Sequence, residues 1–259
     1  MRDTSSRRDK IASMLKSAGS VQVLPLAERF GVSTVTIRND LRFLESLGVS
    51  TRTYGGAILN ERIDRIVERA IEHKRQLFAK EKCDIGKVAA QYIDPGDAII
   101  LDSGTTTFQI AAQLVDKKGV TVVTNGLNLM NKLAQLEHLE LIMLGGTLRR
   151  KNMSYFGAHA EQAMSELHVD KLFLGVDGFH MEKGVTTHFE PEAQLNRLMC
   201  KAASKTFLVT DSSKFGRICL HQILDVVQVS TVITDPGIRD EYRTGLEKLG
   251  VNVVVTNEG

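Results

Sequence analysis

Ala98-Ile99-Ile100-Leu101-Asp102-Ser103-Gly104-Thr105-Thr106-Thr107 runs from four consecutive apolar residues into a small, hydroxyl-rich turn, and a helical pattern over 106–117 follows. An apolar run without polar alternation, introduced by a Pro-Gly turn at 95–96, marks a strand covered on both faces. Gly104 lets backbone come close to a ligand, and the N–H groups of a helix start point outward. Ser103, Thr105, Thr106 and Thr107 add hydroxyl donors, so the loop is a candidate phosphate cradle. A Ser/Thr-capped helix with no ligand uses the same residues. There is no G-x-x-x-x-G-K-[ST], and no G-x-G-x-x-G follows this strand, which disfavours a nucleotide triphosphatase and a dinucleotide site.

The same strand-then-helix pattern repeats towards the C-terminus. Strands are expected at 120–125, 139–146, 171–178, 206–211, 230–235 and 251–257, and helical stretches at 127–137, 190–204 and 239–249. That alternation predicts an α/β domain with a largely parallel, doubly covered sheet, whose strand order is not readable. Several strands close on Asp102, Asn125, Gly145-Gly146, Asp177-Gly178, Asp211 or Asp235. In open parallel sheets ligands bind outside the carboxyl ends of strands, so these positions are candidates to line one crevice. Asp, Asn and Gly also end strands for purely local reasons. Arg149-Arg150-Lys151 and Asp211-Ser212-Ser213-Lys214-Phe215 bring positive charge after two of the strands. With the cradle, they point to an anionic, phosphorylated ligand. Glu190 and Glu192 open a helix, where acids also serve simply as helix N-terminal charges.

The first 56 residues differ from the rest. They hold nine Lys/Arg (Arg2, Arg7, Arg8, Lys10, Lys16, Arg29, Arg38, Arg42 and Arg52) against five acids, a surplus of four in a chain whose formal net charge is +2. A basic head on a slightly acidic body suggests separate jobs. Ile11, Met14 and Leu15 predict a first helix over 6–17, and a second covers Leu24–Phe30 with Pro25 tolerated in its first turn. Gly31 supplies a turn, and Ser33 is a good N-cap for a third helix to about Leu47. Ala27, Gly31 and Ile37 stand where a helix-turn-helix needs a small residue, a turn glycine and an aliphatic packing residue. Ile37, Leu41 and Leu44 form the buried stripe, which leaves Thr34, Thr36, Arg38, Asn39 and Arg42 for solvent or a major groove. Arg suits guanine, Asn suits adenine, and Thr serves bases or phosphates. Thr51-Arg52-Thr53-Tyr54-Gly55-Gly56-Ala57 reads as a strand entering a Gly-Gly turn, a wing that brings Arg52 towards a phosphate or the minor groove. A three-helix protein-interaction domain is the alternative for the head.

Composition removes other classes. With 42% hydrophobic and 25% charged residues the chain is an ordinary packed protein, and no apolar run approaches the roughly 18 residues of a membrane helix. MRDTSSRRDK has no apolar core behind its charges, so no secretory signal is expected. Cys83, Cys200 and Cys219 lie far apart without Cys-x-x-Cys spacing, which fits a reducing cytoplasm and argues against structural zinc or disulfides. The histidines, among them His159, His168, His180, His188 and His221, form no metal set, so neither metal nor cofactor is expected. No G-x-S-x-G or comparable nucleophile motif is present. With ten Phe, four Tyr and no Trp, a stacking platform for single-stranded nucleic acid is improbable.

The order of these motifs resembles the DeoR family along essentially the whole chain. Val32-Ser33-Thr34-Val35-Thr36-Ile37-Arg38-Asn39-Asp40-Leu41, with Leu44-Glu45, Gly48, Arg52 and Gly55-Gly56-Ala57, looks like the DeoR-type helix-turn-helix. Asp102-Ser103-Gly104-Thr105-Thr106, Thr124-Asn125-Gly126, Gly145-Gly146, Phe156-Gly157, Gly175-Val176-Asp177-Gly178 and Asp211-Ser212-Ser213-Lys214-Phe215 look like that family's sugar-phosphate sensor. The resemblance implies a winged helix-turn-helix domain at 1–57, a linker helix at 58–79 and a sugar-phosphate-binding α/β domain at 80–259. It implies a bacterial repressor of a sugar-utilisation operon, released by a phosphorylated sugar. Duplex operator DNA would meet Ser33, Thr34, Thr36, Arg38, Asn39, Arg42, Arg52 and Tyr54. The sugar phosphate would meet Asp102, Ser103, Gly104, Thr105, Thr106, Thr107, Asn125, Gly145, Arg149, Asp177, Glu192 and Lys214. A homo-oligomer, dimer or tetramer, is expected because a dimer reads two half-sites about one helical turn apart.

Two departures bear on the operator read. Asn39 follows Arg38 where many members have a second Arg, and Tyr54 stands where His is common before Gly-Gly. Thr187-His188-x-Glu190, Leu195-Asn196-Arg197 and Met199-Cys200 look like the subgroup regulating N-acetylgalactosamine and galactosamine use. The family's sensor fold is similar to ribose-5-phosphate isomerase and glucosamine-6-phosphate deaminase. In an enzyme of that kind Asp102–Thr107 would be the phosphate loop, with Asp177, Glu192 and Lys214 as acid/base groups. An isomerase has no need of a basic head, so a regulator and not an enzyme is expected.

Overall fold

Ile37, Leu41 and Leu44 are each no more than 1% exposed, and they seat α3 (Thr34–Ser46) on the core of the head. Burying each such side chain stabilises by roughly 1.5–3 kcal/mol. The computed structural model describes residues 4–18, 20–53, 55–59 and 71–257, and the chain divides into two units, Met1–Ala79 and Lys80–Gly259. In the first unit α1 (Thr4–Ala18) contributes Ile11, Ala12 and Leu15 to the same core, and α2 (Val23–Phe30) contributes Val23, Leu26 and Ala27. α2 ends because Gly31 turns left-handed (φ 59°) and donates to the Glu28 carbonyl at 3.2 Å. Ser33 then caps α3 by accepting the Thr36 N–H at 3.1 Å.

Three short antiparallel strands complete the head in the order β1 (Ser20–Gln22), β3 (Gly56–Leu59), β2 (Ser50–Thr53). The hairpin of β2 and β3 is the wing. Gly56 is obligatory there, because a Cβ would lie 2.1 Å from the Val21 carbonyl of β1. Of the linker helix expected at 58–79, residues 58–59 belong to β3 and 60–70 lie outside the described residues. α4 (Ile71–Gln76) is helical, and Leu77 and Phe78 then enter the core of the head.

The second unit carries a seven-stranded parallel sheet in the order β15, β14, β12, β9, β4, β5, β6. These strands are β4 (Ala98–Leu101), β5 (Thr121–Thr124), β6 (Glu140–Met143), β9 (Val169–Leu174), β12 (Ala203–Val209), β14 (Thr231–Thr234) and β15 (Asn252–Val255). The apolar runs work by alternation. Ile99, Leu101, Phe173, Phe207 and Val209 face one layer with α5 (Ala79–Ala90), α6 (Thr105–Ala111) and α7 (Leu127–Leu133). Ile100, Leu172, Leu174 and Leu208 face the other, with α8 (Ala158–Ser165), α9 (Glu190–Ala202) and α10 (Asp240–Lys248). The hairpin β7 (Thr147–Arg149) with β8 (Ser154–Phe156), and a small sheet of β10 (Gly178–His180), β11 (Gly184–Thr187) and β13 (His221–Leu224), stand apart from the large sheet.

The strand order locates a crevice. From β4 the chain builds β5 and β6 outward on one side, then returns across β4 to lay β9, β12, β14 and β15 on the other. The reversal lies between β4 and β9, and in an open parallel sheet that is where a ligand cleft is expected, outside the carboxyl ends of the strands.

Candidate functional site

Asp102, at the end of β4, organises that cleft. Its carboxylate accepts the Gly104 N–H at 3.0 Å, and the Thr107 hydroxyl lies 2.8 Å from both the Asp102 and Gly104 carbonyls, closing the loop on itself. Burial pushes the Asp102 carboxyl up to about 6, against hydrogen bonds from Gly104, Thr107 and Gly175, and the Asp177 charge adds to the rise. Neighbouring loops crowd in. A Cβ on Gly175, after β9, would lie 3.4 Å from Asp102, and one on Gly126, after β5, would lie 3.1 Å from the Ser103 Cα. The ends of β4, β5 and β9 therefore meet at one point, with Ser103, Thr105 and Thr106 buried beside them.

A second cluster adjoins the first. The Thr187 hydroxyl lies 3.2 Å from Asp177 and 3.4 Å from Glu192. Glu192, on the first turn of α9, also accepts from Arg149 at 2.9 Å and from Asn152 at 3.2 Å. The Arg149 guanidinium lies 3.9 Å over the Phe189 ring, which meets Phe156 edge-on. Asn125 donates its amide to the Tyr155 carbonyl at 3.0 Å, which orients its buried Oδ1, and that oxygen has no protein partner. Asp211 caps a short turn by accepting the Ser213 N–H at 3.2 Å, which sets Lys214 beyond the end of β12. Burial and then the Asp177 carboxylate push the Cys219 thiol up to about 11, against the Thr186 hydrogen bond and the charges of Lys214 and Arg217.

The structure thus brings Asp102, Ser103, Gly104, Thr105, Thr106, Thr107, Asn125, Arg149, Asp177 and Glu192 to one end of the sheet. Thr107 is fully buried and its hydroxyl serves the loop itself. Gly145 is exposed with nothing near its Cβ position, whereas Gly146 (φ 127°) packs against the Phe156 carbonyl. Thr187 and Gly175 enter the sequence reading only within family motifs, and Asn152 and Phe189 have no site role in it. Thr187 and Phe189 both precede the Glu-Pro-Glu start of α9, within reach of a local pattern; Asn152 depends on the β7–β8 hairpin.

On the head, Arg38, Asn39 and Arg42 are exposed on one face of α3, and Arg42 donates to the Asn39 side chain at 3.0 Å. Ser33 and Thr36 hold each other, hydroxyl to hydroxyl, at 2.9 Å. Arg52 is clamped on the wing by Glu45, through its Nε at 2.7 Å and its backbone N–H at 2.9 Å. Arg38, Arg52, Thr53, Gly55 and Gly56 line a hollow between α3 and the wing. Tyr54 lies outside the described residues. Arg7 and Arg8 grip the buried Asp40 at 2.7 and 2.8 Å and tie α1 to α3.

A family model described as DeoR-like helix-turn-helix domain matches residues 7–63, and one described as DeoR C terminal sensor domain matches 78–236. A relative described as "Putative aga operon transcriptional repressor", from Escherichia coli O157:H7, is 47% identical over 98% of this chain and 95% of its own. The transcriptional repressor AccR of Agrobacterium fabrum is 31% identical over 98% of each chain. The lactose phosphotransferase system repressor of Lactococcus lactis subsp. lactis is 32% identical over 91% of this chain and 92% of its own. Among solved structures, a ribose-5-phosphate isomerase in complex with phospho-erythronic acid is 13% identical, covers 53% of this chain and 54% of that chain, and has a TM-score of 0.40.

Proposed function

The chain belongs to the DeoR family of transcriptional regulators, and from that premise we propose that it represses a sugar-utilisation operon and is released by a phosphorylated sugar. The head holds the operator. Arg38 reads a guanine edge and Asn39 with Arg42 an adjacent base, while Arg52, steadied by Glu45, meets the backbone or minor groove. Ser33, Thr34 and Thr36 complete the face, and Tyr54 is assigned an operator contact on the family resemblance. Two copies of the chain are needed to read two half-sites, so the repressor works as a homo-oligomer. No helix among the described residues is long and apolar enough to cross a membrane; a repressor that holds operator DNA works in the cytoplasm, where Cys83, Cys200 and Cys219 stay free thiols.

The single observation that carries the ligand assignment is the convergence of the β4, β5 and β9 ends around Asp102 at the point where strand order reverses. The backbone N–H groups and hydroxyls of Ser103, Thr105 and Thr106 take the phosphoryl group, and Lys214 supplies positive charge. Asp102, Asp177 and Asn125 address the sugar hydroxyls. Arg149 and Glu192 close the far wall as one paired unit beside Phe189. Binding releases DNA to the extent that the sugar phosphate prefers the arrangement that does not hold the operator.

A thermal-shift comparison tests the ligand class. Galactosamine 6-phosphate, glucose 6-phosphate and ribose 5-phosphate are each run against the same sugar without phosphate. At least one phosphate ester should raise the melting temperature where its free sugar does not. Equal shifts from free sugar and ester, or no shift from any ester, would overturn the assignment.

A further inference from the structure

Phe78 is one of two non-glycine residues with positive φ among the described residues, at 55°, a conformation that bulky side chains avoid. It is held there from both sides. Its side chain is buried in the core of the head with Leu77, and its N–H donates to the carboxylate of Asp9, itself buried on α1, at 3.0 Å. The next residue, Ala79, begins α5, and the rest of that helix belongs to the body.

Two turns along α5 stands Gly86, which is buried. A Cβ at Gly86 would lie 2.6 Å from the Gln109 Cβ and 2.7 Å from the Gln109 backbone carbonyl carbon. Gly86 therefore packs directly on the backbone and Cβ of Gln109, with no side chain of its own between the two helices. Gln109 lies on α6, the helix that begins at Thr105 in the candidate phosphate cradle. A close-packed contact of this kind transmits small displacements, because it has no soft side chain to absorb them.

We propose that Gly86 and Phe78 are positioning residues that couple the two activities: α6 moves α5 through the Gly86–Gln109 contact, and α5 acts on the head through the strained anchor at Phe78. This rests on the sugar-phosphate reading of the Asp102–Thr107 loop. The covalent path from cradle to head then needs one helix–helix contact and one held hinge, and it is built from residues that touch neither ligand nor DNA.

The test uses the full-length protein, with operator affinity measured by fluorescence anisotropy and ligand affinity by calorimetry. The probe is whichever of galactosamine 6-phosphate, glucose 6-phosphate and ribose 5-phosphate binds wild type. Gly86→Ala separates the two helices, and Asp9→Ala releases the Phe78 N–H. Both variants should bind operator, and bind the probe, within about threefold of wild type. The probe-induced loss of operator affinity should fall from on the order of 100-fold to under about 10-fold. In wild type, hydrogen exchange over residues 79–90 should change when the probe is added, a readout independent of how the variants fold. Undiminished release in both variants, or unchanged exchange over 79–90 in wild type, overturns the coupling alone. Failure of all three probes to bind wild type overturns the sensor reading and the coupling with it.

Discussion

Arg149 donates to Glu192 across 2.9 Å, joining the β7 strand to the first turn of α9 through a pair whose side chains are each 15% exposed. Removing one partner strands the other charge in a largely dry place. Glu192→Ala should destabilise the body by about 2–3 kcal/mol in urea unfolding, and combining it with Arg149→Ala should cost less than the sum of the single changes. Simple additivity would mean that the pair does not act as a unit.

Asp40 is the corresponding anchor of the head. It is 1% exposed and accepts from both Arg7 and Arg8. Asp40→Ala leaves two arginines without their carboxylate and should cost the head about 3–5 kcal/mol. Hydrogen exchange over α1 and α3 measures this; protection equal to wild type in both helices would contradict it.

The pH dependence of the body follows from Asp102, whose pKa is raised from 3.8 to about 6 by burial. A raised carboxyl binds its proton more tightly in the folded state. Its contribution to stability is therefore present below pH 4 and is lost as the pH rises towards 6. The loss amounts to about 3 kcal/mol. Asp102→Asn should thus unfold with a shallower fall in stability between pH 4 and 6, and should be more stable than wild type at pH 7. Parallel stability curves for the two proteins would show that Asp102 ionises normally.

Arg38 is exposed at the centre of the α3 face. Arg38→Ala should weaken operator binding by about 1–3 kcal/mol and relax preference at one base position, whereas Arg52→Ala should weaken all sequences alike and reduce the salt dependence. Competition binding against single-base operator variants separates the two. A uniform loss for Arg38→Ala would make it a phosphate contact.

Much of this architecture is legible in the sequence because it is local. The seven parallel strands announce themselves as apolar runs, and Ile37, Leu41 and Leu44 mark the buried face of α3. The pieces that escape are short. β1, β7, β8, β10, β11 and β13 have three or four residues each, too few to establish a period, and α8 (Ala158–Ser165) has a weak apolar stripe. Strand order escapes for another reason: β9 lies beside β4 through pairings some seventy residues apart, which no local pattern records. Charge misleads in the same way. Arg7 and Arg8 count towards the basic surplus of the head, yet both are paired with Asp40, more than thirty residues away. In the candidate site, Asp102 and the loop after it are visible as a motif, but the link from Asp177 through Thr187 to Glu192 and Arg149 exists only once β7, β11 and α9 are assembled.

The most direct measurement is operator affinity with and without millimolar sugar phosphate, for wild type, Thr105→Val and Lys214→Ala. Thr105→Val removes a hydroxyl at the mouth of the cradle with little change of volume, and Lys214→Ala removes the cation beyond β12; neither residue belongs to the head. All three proteins should bind the operator equally well without ligand. Wild type should release it, by on the order of 100-fold in affinity, whereas both variants should hold on as repressors that the sugar phosphate no longer switches off. Release of both variants at the same sugar-phosphate concentration as wild type would contradict the assignment and put the sensor site elsewhere.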